Sequence, residues 1–203
     1  MPRPSRIEAY AIVSEDGMLA NRSGVMPASL KFDADRHFFE RGLDGVDAVA
    51  HGRHSHERQP HSPSRRRLIL TRQTPSIATD KSNEKALFWN PAGASFEEAW
   101  SALGIPDGSL AVIGGTNVFA MFLDAYDVFY LSRAPNVLLP GGRPIFPSVP
   151  LQTPEEVLTG HGLAPGPRQV LDGEKGLTVV GWKRARAQGT DVSVRLPGKP
   201  SLF

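Results

Sequence analysis

A strand-like segment that runs into two glycines and then into a helix-like segment constrains the fold most. Leu110–Ile113 is short and apolar, Gly114 and Gly115 follow it, and Thr116–Leu123 has a helical pattern. Two glycines let the backbone bend tightly and approach a ligand with no Cβ in the way. The start of the helix then offers free N–H groups and a positive dipole end to a phosphate. The candidate phosphate-binding residues of this unit are Gly114, Gly115, Thr116, Asn117 and Val118, and a purely structural Gly-Gly turn is the alternative.

Composition excludes several functional classes. The chain has 203 residues, which indicates one domain, and a formal net charge of +2, too small for a nucleic-acid-binding surface. It has no cysteine, so it has no disulfide, thiolate nucleophile or cysteine metal site. Its longest apolar stretch, Leu110–Leu123, is too short for a membrane span. Since Glu8 interrupts the first apolar run, a secretory signal is not indicated. We therefore expect a soluble cytoplasmic protein with no nucleic-acid or membrane partner.

Apolar strand-like segments alternate with helical patterns along the chain. Asp33 is expected to cap a helix over Ala34–Leu43, and Ser95 with Glu98 forms a capping box that opens another. The expected strands are Ile7–Val13, Val46–Ala50, Leu68–Thr71, Ala86–Trp89, Leu110–Ile113 and Asp127–Leu131, followed by a closing hairpin of Arg168–Leu171 and Leu177–Trp182. This alternation predicts an α/β fold with a mostly parallel mixed central sheet, flanking helices and a C-terminal antiparallel hairpin. We expect one domain over 1–183, loops over 58–67 and 136–150, and a flexible tail over 184–203.

Phosphate-binding chemistry follows two further strands. Gly52, Arg53, His54 and Ser55 come directly after the second strand, where a guanidinium, a hydroxyl and N–H groups could converge on one anion. A surface turn with an incidental arginine is the alternative. Thr71-Arg72 ends the third strand, and arginine at such a position suits the 2′-phosphate of NADP. Because the carboxyl ends of parallel strands share one edge, these strand ends are expected to meet the Gly114 turn there.

The order and spacing of these pieces resemble the dihydrofolate reductase family, including the related reductase domain of riboflavin biosynthesis. The resemblance covers about residues 7–183. The matching pieces are Ala11-Ile12-Val13 with Asp16-Gly17, Met26-Pro27, the helix around Asp35, Gly52–Ser55, Leu68–Arg72, Ile113–Phe119, Tyr130–Arg133 and the loop Pro140–Pro147.

The resemblance implies a three-layer dihydrofolate reductase-like fold and an NADPH-dependent reductase. Such a reductase would transfer a hydride from NADPH to a C=N or C=O carbon of a pterin-like or related small substrate. The cofactor would lie across the Gly114–Gly115 turn and Arg53, with its adenosine phosphate near Thr71-Arg72. Its nicotinamide would lie beside Ala11, Leu19 and Ala20, and the implied substrate contacts are Met26 and Phe39. Arg65 is a further candidate contact for an anionic substrate. The oligomeric state stays open, with a homodimer as one possibility.

Asp35 aligns with the acidic residue that faces the pterin in this family, and Ser132 with a hydroxyl that helps to hold it. Hydride transfer to a C=N bond leaves charge on nitrogen, so a buried carboxyl that donates a proton lowers the barrier. The alternative is structural, because acids such as Asp33 and Asp35 in the first turn of a helix stabilise its dipole without chemistry.

Departures from the family pattern leave the substrate open. Ala28 follows Met26-Pro27 where folate reductases carry tryptophan, and Ser14 with Asp16-Gly17 resembles the riboflavin branch. Gly52–Glu57, in contrast, resembles the folate branch. The alternatives are therefore a riboflavin-pathway 5-amino-6-(5-phosphoribosylamino)uracil reductase or a nucleotide-binding protein without turnover. His51, His54, His56 and His61 are clustered but irregularly spaced, so no metal site is predicted.

Overall fold

A nine-stranded mixed sheet forms the centre of the computed structural model, which describes residues 3–54 and 64–185. The strands are β1 (Arg6–Val13), β2 (Met18–Ala20), β3 (Ala48–Gly52), β4 (Arg66–Leu70), β5 (Ile77–Asp80), β6 (Asn83–Trp89), β7 (Ser109–Val112), β8 (Val128–Arg133), β9 (Arg143–Pro144), β10 (Leu163–Asp172) and β11 (Leu177–Arg184). The helices are α1 (Asp33–Asp44), α2 (Phe96–Ala102), α3 (Thr116–Met121) and α4 (Pro154–Gly160), with a 3-10 turn at Ala28–Leu30.

The strand directions confirm the predicted mixed sheet. The order across the large sheet is β10-β11-β8-β1-β7-β3-β4-β6-β5. Strands β8, β1, β7, β3, β4 and β6 pair in parallel. Strands β11 and β5 run antiparallel to their neighbours, and β10 with β11 forms the predicted C-terminal hairpin. β2 and β9 form a separate two-stranded antiparallel sheet.

Alternation along β1 explains why helices cover both faces of the sheet. Successive side chains of a strand point to opposite faces. Ala9 and Val13 enter the main core cluster, to which α2, α3 and α4 contribute Trp100, Phe119 and Leu158 among others. Tyr10 instead belongs to a smaller cluster with residues of α1. The chain therefore forms three layers, with α1 on one face of the sheet and the other helices opposite.

Aromatic side chains hold α1 against the sheet. Tyr10 of β1 and Tyr130 of β8 are paired in register and stack with ring centroids 4.9 Å apart. Phe38 and Phe39 meet the Tyr10 ring edge-on, with centroids at 5.9 and 6.0 Å. Gly42 lets the helix come this close, because a Cβ there would lie 2.3 Å from the Tyr10 Cζ atom.

The starts of the helices confirm one prediction and correct another. Ser95 forms the predicted capping box at the start of α2. Asp33 is not a cap, because α1 begins at Asp33 itself and its N-cap is Phe32, whose side chain cannot accept a hydrogen bond. Thr153 and Glu156 form a second capping box, which begins the unforeseen helix α4. The sequence motif is the same at both boxes, so this signal was available.

Three boundaries also differ from the sequence prediction. The predicted loop over 136–150 contains β9, and the predicted loop over 58–67 overlaps the start of β4 at Arg66. Arg184 belongs to β11, not to the tail, because its guanidinium donates to the carbonyl oxygens of Leu123, Tyr126 and His161. Positions 186–203 of the predicted tail lie outside the described residues.

Among the described helices, none is long and apolar enough to cross a membrane.

Replacing Gly42 with alanine should destabilise the protein. The Tyr10 ring cannot retreat, since it stacks on Tyr130 and its hydroxyl donates to Glu8. We expect Gly42→Ala to lower the free energy of unfolding by about 1–3 kcal/mol, as in an overpacked core. The matched control is Gly160→Ala in α4, where a Cβ meets nothing within 4 Å. That change should stabilise by about 0.5–1 kcal/mol. Urea unfolding measures both, and equal effects would contradict the proposed close packing of α1.

Candidate functional site

Three strand ends lie side by side at one edge of the sheet. The Gly52 amide donates to the Gly114 carbonyl oxygen at 3.1 Å, and the Ile113 amide donates to the Ala50 carbonyl oxygen at 2.9 Å. Gly52 is also the register partner of Leu70, so Thr71 follows immediately beside it. The structure thus brings together the ends of β3, β4 and β7, as the sequence predicted.

The Gly114–Gly115 turn adopts a backbone that favours glycine. The φ angles of Gly114 and Gly115 are 147° and 90°, and Gly115 is the N-cap of α3. The first N–H groups of a helix have no acceptor within it, so they are available to an anion. Thr116 donates its hydroxyl to the Pro144 carbonyl oxygen at 2.5 Å, which ties the helix start to β9. Asn117 is exposed at this turn.

Cationic side chains flank this edge. Arg53 is exposed in the turn after β3, with Nη2 3.2 Å from the Nε2 atom of His54. Arg72 is exposed after β4, next to Thr71, whose hydroxyl oxygen accepts from the Gln73 amide. A Cβ on Gly52 would lie 3.5 Å from the buried Val118, so that residue packs beneath the turn. Ser55 lies outside the described residues.

The two central strands part at the same edge. β1 and β7 pair from Arg6 and Ser109 as far as Ala9 and Val112. Beyond Val112 the chain stays with β3, whereas β1 continues to Val13 along β8. Ala11 therefore lies past the last pair with β7. Leu19 of β2, like Ala11, is partly buried against the main core, and Ala20 of β2 is buried.

Asp35 and Ser132 meet on the α1 face of the sheet. Ser132 lies on β8 between Ile12 and Val179 and is 2% exposed. Its side chain is hydrogen-bonded to the Asp35 carboxyl group. Burial raises the pKa of Asp35 above its ordinary value, and the Ser132 hydrogen bond lowers it in part. A carboxyl in this setting retains its proton to a higher pH than an exposed one, which suits a proton donor.

Ion pairs and hydrogen bonds fix the loop after β1. Arg133 holds Glu155 with two contacts of 2.9 and 2.5 Å and donates to the Ser14 carbonyl oxygen at 3.2 Å. Asp16 accepts the Ser14 hydroxyl at 2.5 Å and the Leu139 amide at 3.0 Å. The Ser14–Asp16 motif therefore holds the loops after β1 and β8 together.

The predicted substrate residues occupy different places. Phe39 follows Asp35 by four residues, on the same face of α1, and is partly buried against Tyr10. Met26 is 38% exposed in the loop before α1. Arg65 is not brought to the site. It is buried ahead of β4, at the opposite end of the parallel strands, where it donates to Asp44 at 2.6 Å and to the Leu43 carbonyl oxygen. Its role there is to hold the end of α1.

A buried polar network under α1 escaped the sequence analysis. Glu8 is 4% exposed, accepts the Tyr10 hydroxyl at 2.6 Å and pairs with Arg6 at 2.8 Å. Burial, reinforced by the hydrogen bond to Glu8, raises the pKa of Tyr10 well above its ordinary value. The available signal was a carboxyl and a hydroxyl two residues apart in an apolar strand, a spacing that puts both on one face.

The histidine cluster is only partly described. His51 is buried, and its Nδ1 lies 2.9 Å from the Gly52 carbonyl oxygen, to which it donates. His56 and His61 lie outside the described residues. Within the described ranges, no group of three histidine, aspartate or glutamate side chains could hold a metal ion.

The sequence matches no protein-family model and no curated protein. Solved structures do match. One is a deaminase/5-amino-6-(5-phosphoribosylamino)uracil reductase from Thermotoga maritima, with TM-score 0.64, 16% identity and coverage of 90% of this chain and 57% of that chain. A pyrimidine reductase-like protein from Corynebacterium diphtheriae gives TM-score 0.59, 17% identity and coverages of 90% and 92%. Dihydrofolate reductase from Enterococcus faecalis, complexed with NADP(H) and RAB-propyl, gives TM-score 0.58, 19% identity and coverage of 88% of this chain and 96% of that chain.

The chain has the dihydrofolate reductase-like fold. This confirms the fold that the sequence motifs implied. The chain spans nearly the whole length of the Enterococcus and Corynebacterium proteins but only 57% of the two-activity Thermotoga protein.

Asp35→Asn should change the pH dependence of stability. A carboxyl with a raised pKa in the folded state contributes stability below its unfolded pKa and loses it as pH rises through the folded pKa. The neutral amide has no such loss, so the variant should gain stability relative to wild type as pH rises through the raised pKa of the Asp35 carboxyl. The control is Asp33→Asn, an exposed acid of the same helix turn that pairs with Arg36. Urea unfolding over a series of pH values tests this, and an identical pH dependence of stability for both variants would contradict it.

Proposed function

We propose that this chain is an NADPH-dependent reductase that acts on a small heterocyclic substrate. The observation that carries the proposal is the hydrogen-bonded pair of Asp35 and Ser132 beside the edge where the strand ends of β3, β4 and β7 converge. An acid with a raised pKa can donate a proton, and a glycine turn can bind a phosphate group, so both groups suit a nicotinamide-dependent reduction. The fold shared with known reductases supports the same reading.

The residues present fit a dinucleotide. The Gly114–Gly115 backbone has no Cβ at the start of α3, and Arg53 and Arg72 add exposed positive charge to the adjacent strand ends. Arg72 would hold the 2′-phosphate, and the amides of Gly115 and Thr116 the pyrophosphate. Ala11 lies where β1 leaves β7, so it would border the nicotinamide, together with Leu19 and Ala20. When bound, NADPH supplies the hydride.

Asp35 supplies the proton in this proposal. Its carboxyl is oriented by the Ser132 hydroxyl and kept partly out of water by α1 and β8. A proton donated to the substrate nitrogen or oxygen neutralises the charge that reduction leaves there. Phe39, one turn along α1, and Met26 in the preceding loop would supply apolar contacts to the ring of the substrate.

The second candidate is reduction of 5-amino-6-(5-phosphoribosylamino)uracil. It is favoured by the Thermotoga reductase, whose TM-score of 0.64 exceeds the 0.58 of the Enterococcus enzyme. The fixed Ser14–Asp16 motif, which resembles the riboflavin branch, points the same way. The two candidates share the cofactor edge and the acid and differ only in the substrate.

Arg72→Ala should separate the two nicotinamide cofactors. If Arg72 holds the 2′-phosphate, its loss should weaken NADPH binding by about 1.5–3 kcal/mol, as for a charge-assisted hydrogen bond, and leave NADH binding unchanged. The control is Arg168→Ala, an exposed arginine of the edge strand β10. Fluorescence titration measures both cofactors. Equal affinity of wild type for NADPH and NADH would contradict the assignment of NADPH.

Asp35→Asn should slow turnover while sparing cofactor binding. We expect a loss of about 10²–10⁴-fold in rate, the usual span for acid catalysis. The wild-type rate should fall as pH rises through the apparent pKa of Asp35, and this dependence should vanish in the variant. The assay is NADPH oxidation with a panel of heterocyclic imines and carbonyl compounds.

Asp33→Asn is the control for that assay, because it changes the same helix turn without touching Ser132. A near-normal rate and an unchanged pH profile in Asp35→Asn would make Asp35 a helix-end residue. Wild type that binds NADPH but oxidises it with no compound of the panel would favour a nucleotide-binding protein without turnover.

A further inference from the structure

Two turns lie close together at one end of the small sheet of β2 and β9. Met18 pairs with Pro144, and Ala20 pairs with Arg143. Beyond Ala20 the chain turns back, with the Asn21 amide donating to the Val25 carbonyl oxygen at 3.0 Å. A second turn precedes β9. The Thr116 hydroxyl, which donates to Pro144, places this small sheet directly beside the start of α3.

Each turn has an arginine within it or directly next to it, and that arginine lies across a glycine of the other turn. A Cβ on Gly141 would lie 2.8 Å from the Nη2 atom of Arg22. A Cβ on Gly24 would lie 3.7 Å from the Nε atom of Arg143. Both glycines have positive φ, 81° for Gly24 and 71° for Gly141, so the tight turns and the absence of side chains together make room for the guanidinium groups.

Within the described residues, neither guanidinium group forms an ion pair with an acid. Both arginines are exposed, and in the described part of the chain neither side chain has a hydrogen-bond or ion-pair partner. Arg133 differs from them, because it pairs with Glu155.

We propose that Arg22 and Arg143 form an anion site for a phosphate group of the ligand held at this edge. Guanidinium groups are planar forks that bind phosphate oxygens in pairs, and two of them match the charge of a phosphate dianion. The phosphate could belong to the substrate or to the nicotinamide side of the cofactor. The identity of that ligand rests on the proposed function, but binding of the anion itself does not.

Titration with inorganic phosphate, followed by amide NMR spectra, tests the site. In wild type, the amides of residues 21–25 and 141–143 should shift. Arg22→Gln and Arg143→Gln, which keep much of the side-chain stem, should each weaken binding by about tenfold, as expected for one lost charge-assisted contact. Arg168→Gln is the control and should bind as wild type does. The same spectra report whether each variant is folded. Unchanged affinity in both variants, or shifts confined to other residues, would overturn the proposal.

NADPH titration of the same variants identifies the source of the phosphate. A parallel loss of NADPH affinity assigns the site to the cofactor, whereas unchanged NADPH affinity assigns it to the substrate. Either result supports the anion site. Wild type that binds phosphate at these turns but does not bind NADPH would refute the proposed function and leave the anion site standing, so the two failures are distinguishable.

Discussion

The close contact between α1 and the sheet is the constraint on which the candidate site depends. Asp35, Phe38, Phe39 and Gly42 occupy positions i, i+3, i+4 and i+7, which lie on one face of a helix. The two phenylalanines meet the Tyr10 ring and Gly42 admits it, so the helix lies close against β1 and β8. The same contact carries Asp35 to Ser132. Without it, the carboxyl would remain an ordinary exposed acid in the first turn of a helix.

This position of Asp35 opposes stability. A carboxyl on the sheet-facing side of a helix loses hydration, and a hydrogen bond from one hydroxyl offsets only part of that cost, as the raised pKa of Asp35 shows. Glu8 illustrates a compensated case on the same face, because its buried carboxyl group pairs with the exposed Arg6 and accepts the Tyr10 hydroxyl. A group that is buried and only partly compensated, beside a sheet edge suited to a ligand, is where functional chemistry is expected.

The sequence predicted the strand ends well because their signals are local. Each of these ends follows an apolar run, namely at Gly52, at Thr71 and at Gly114–Gly115. Parallel pairing of the strands then brings their carboxyl ends to one edge of the sheet. The capping box at Ser95 was equally local. The capping box of Thr153 and Glu156 is the same local signal, but it follows a segment dominated by proline and glycine, which favours a loop.

Other features depend on pairing between distant residues. β9 has only two residues and exists because it pairs with β2, more than a hundred residues earlier, so its own sequence carries no strand pattern. Arg65 begins a run of arginines, which suggests a contact with an anionic substrate. Its position is instead set by Asp44, which lies at the far end of α1. The sequence around a charged residue does not show at which edge of the sheet that residue will lie.

The proposed proton donor requires that burial raise the pKa of the Asp35 carboxyl and that the Ser132 hydrogen bond lower it in part. Titration of the Asp35 carboxyl carbon by NMR, in wild type and in Ser132→Ala, measures this directly. Asp35 in wild type should have a pKa above the ordinary value for an aspartate, and the pKa should rise further in Ser132→Ala, because the hydrogen bond that favours the charged form is gone. An ordinary aspartate pKa for Asp35 in both proteins would contradict the proposed role of this carboxyl.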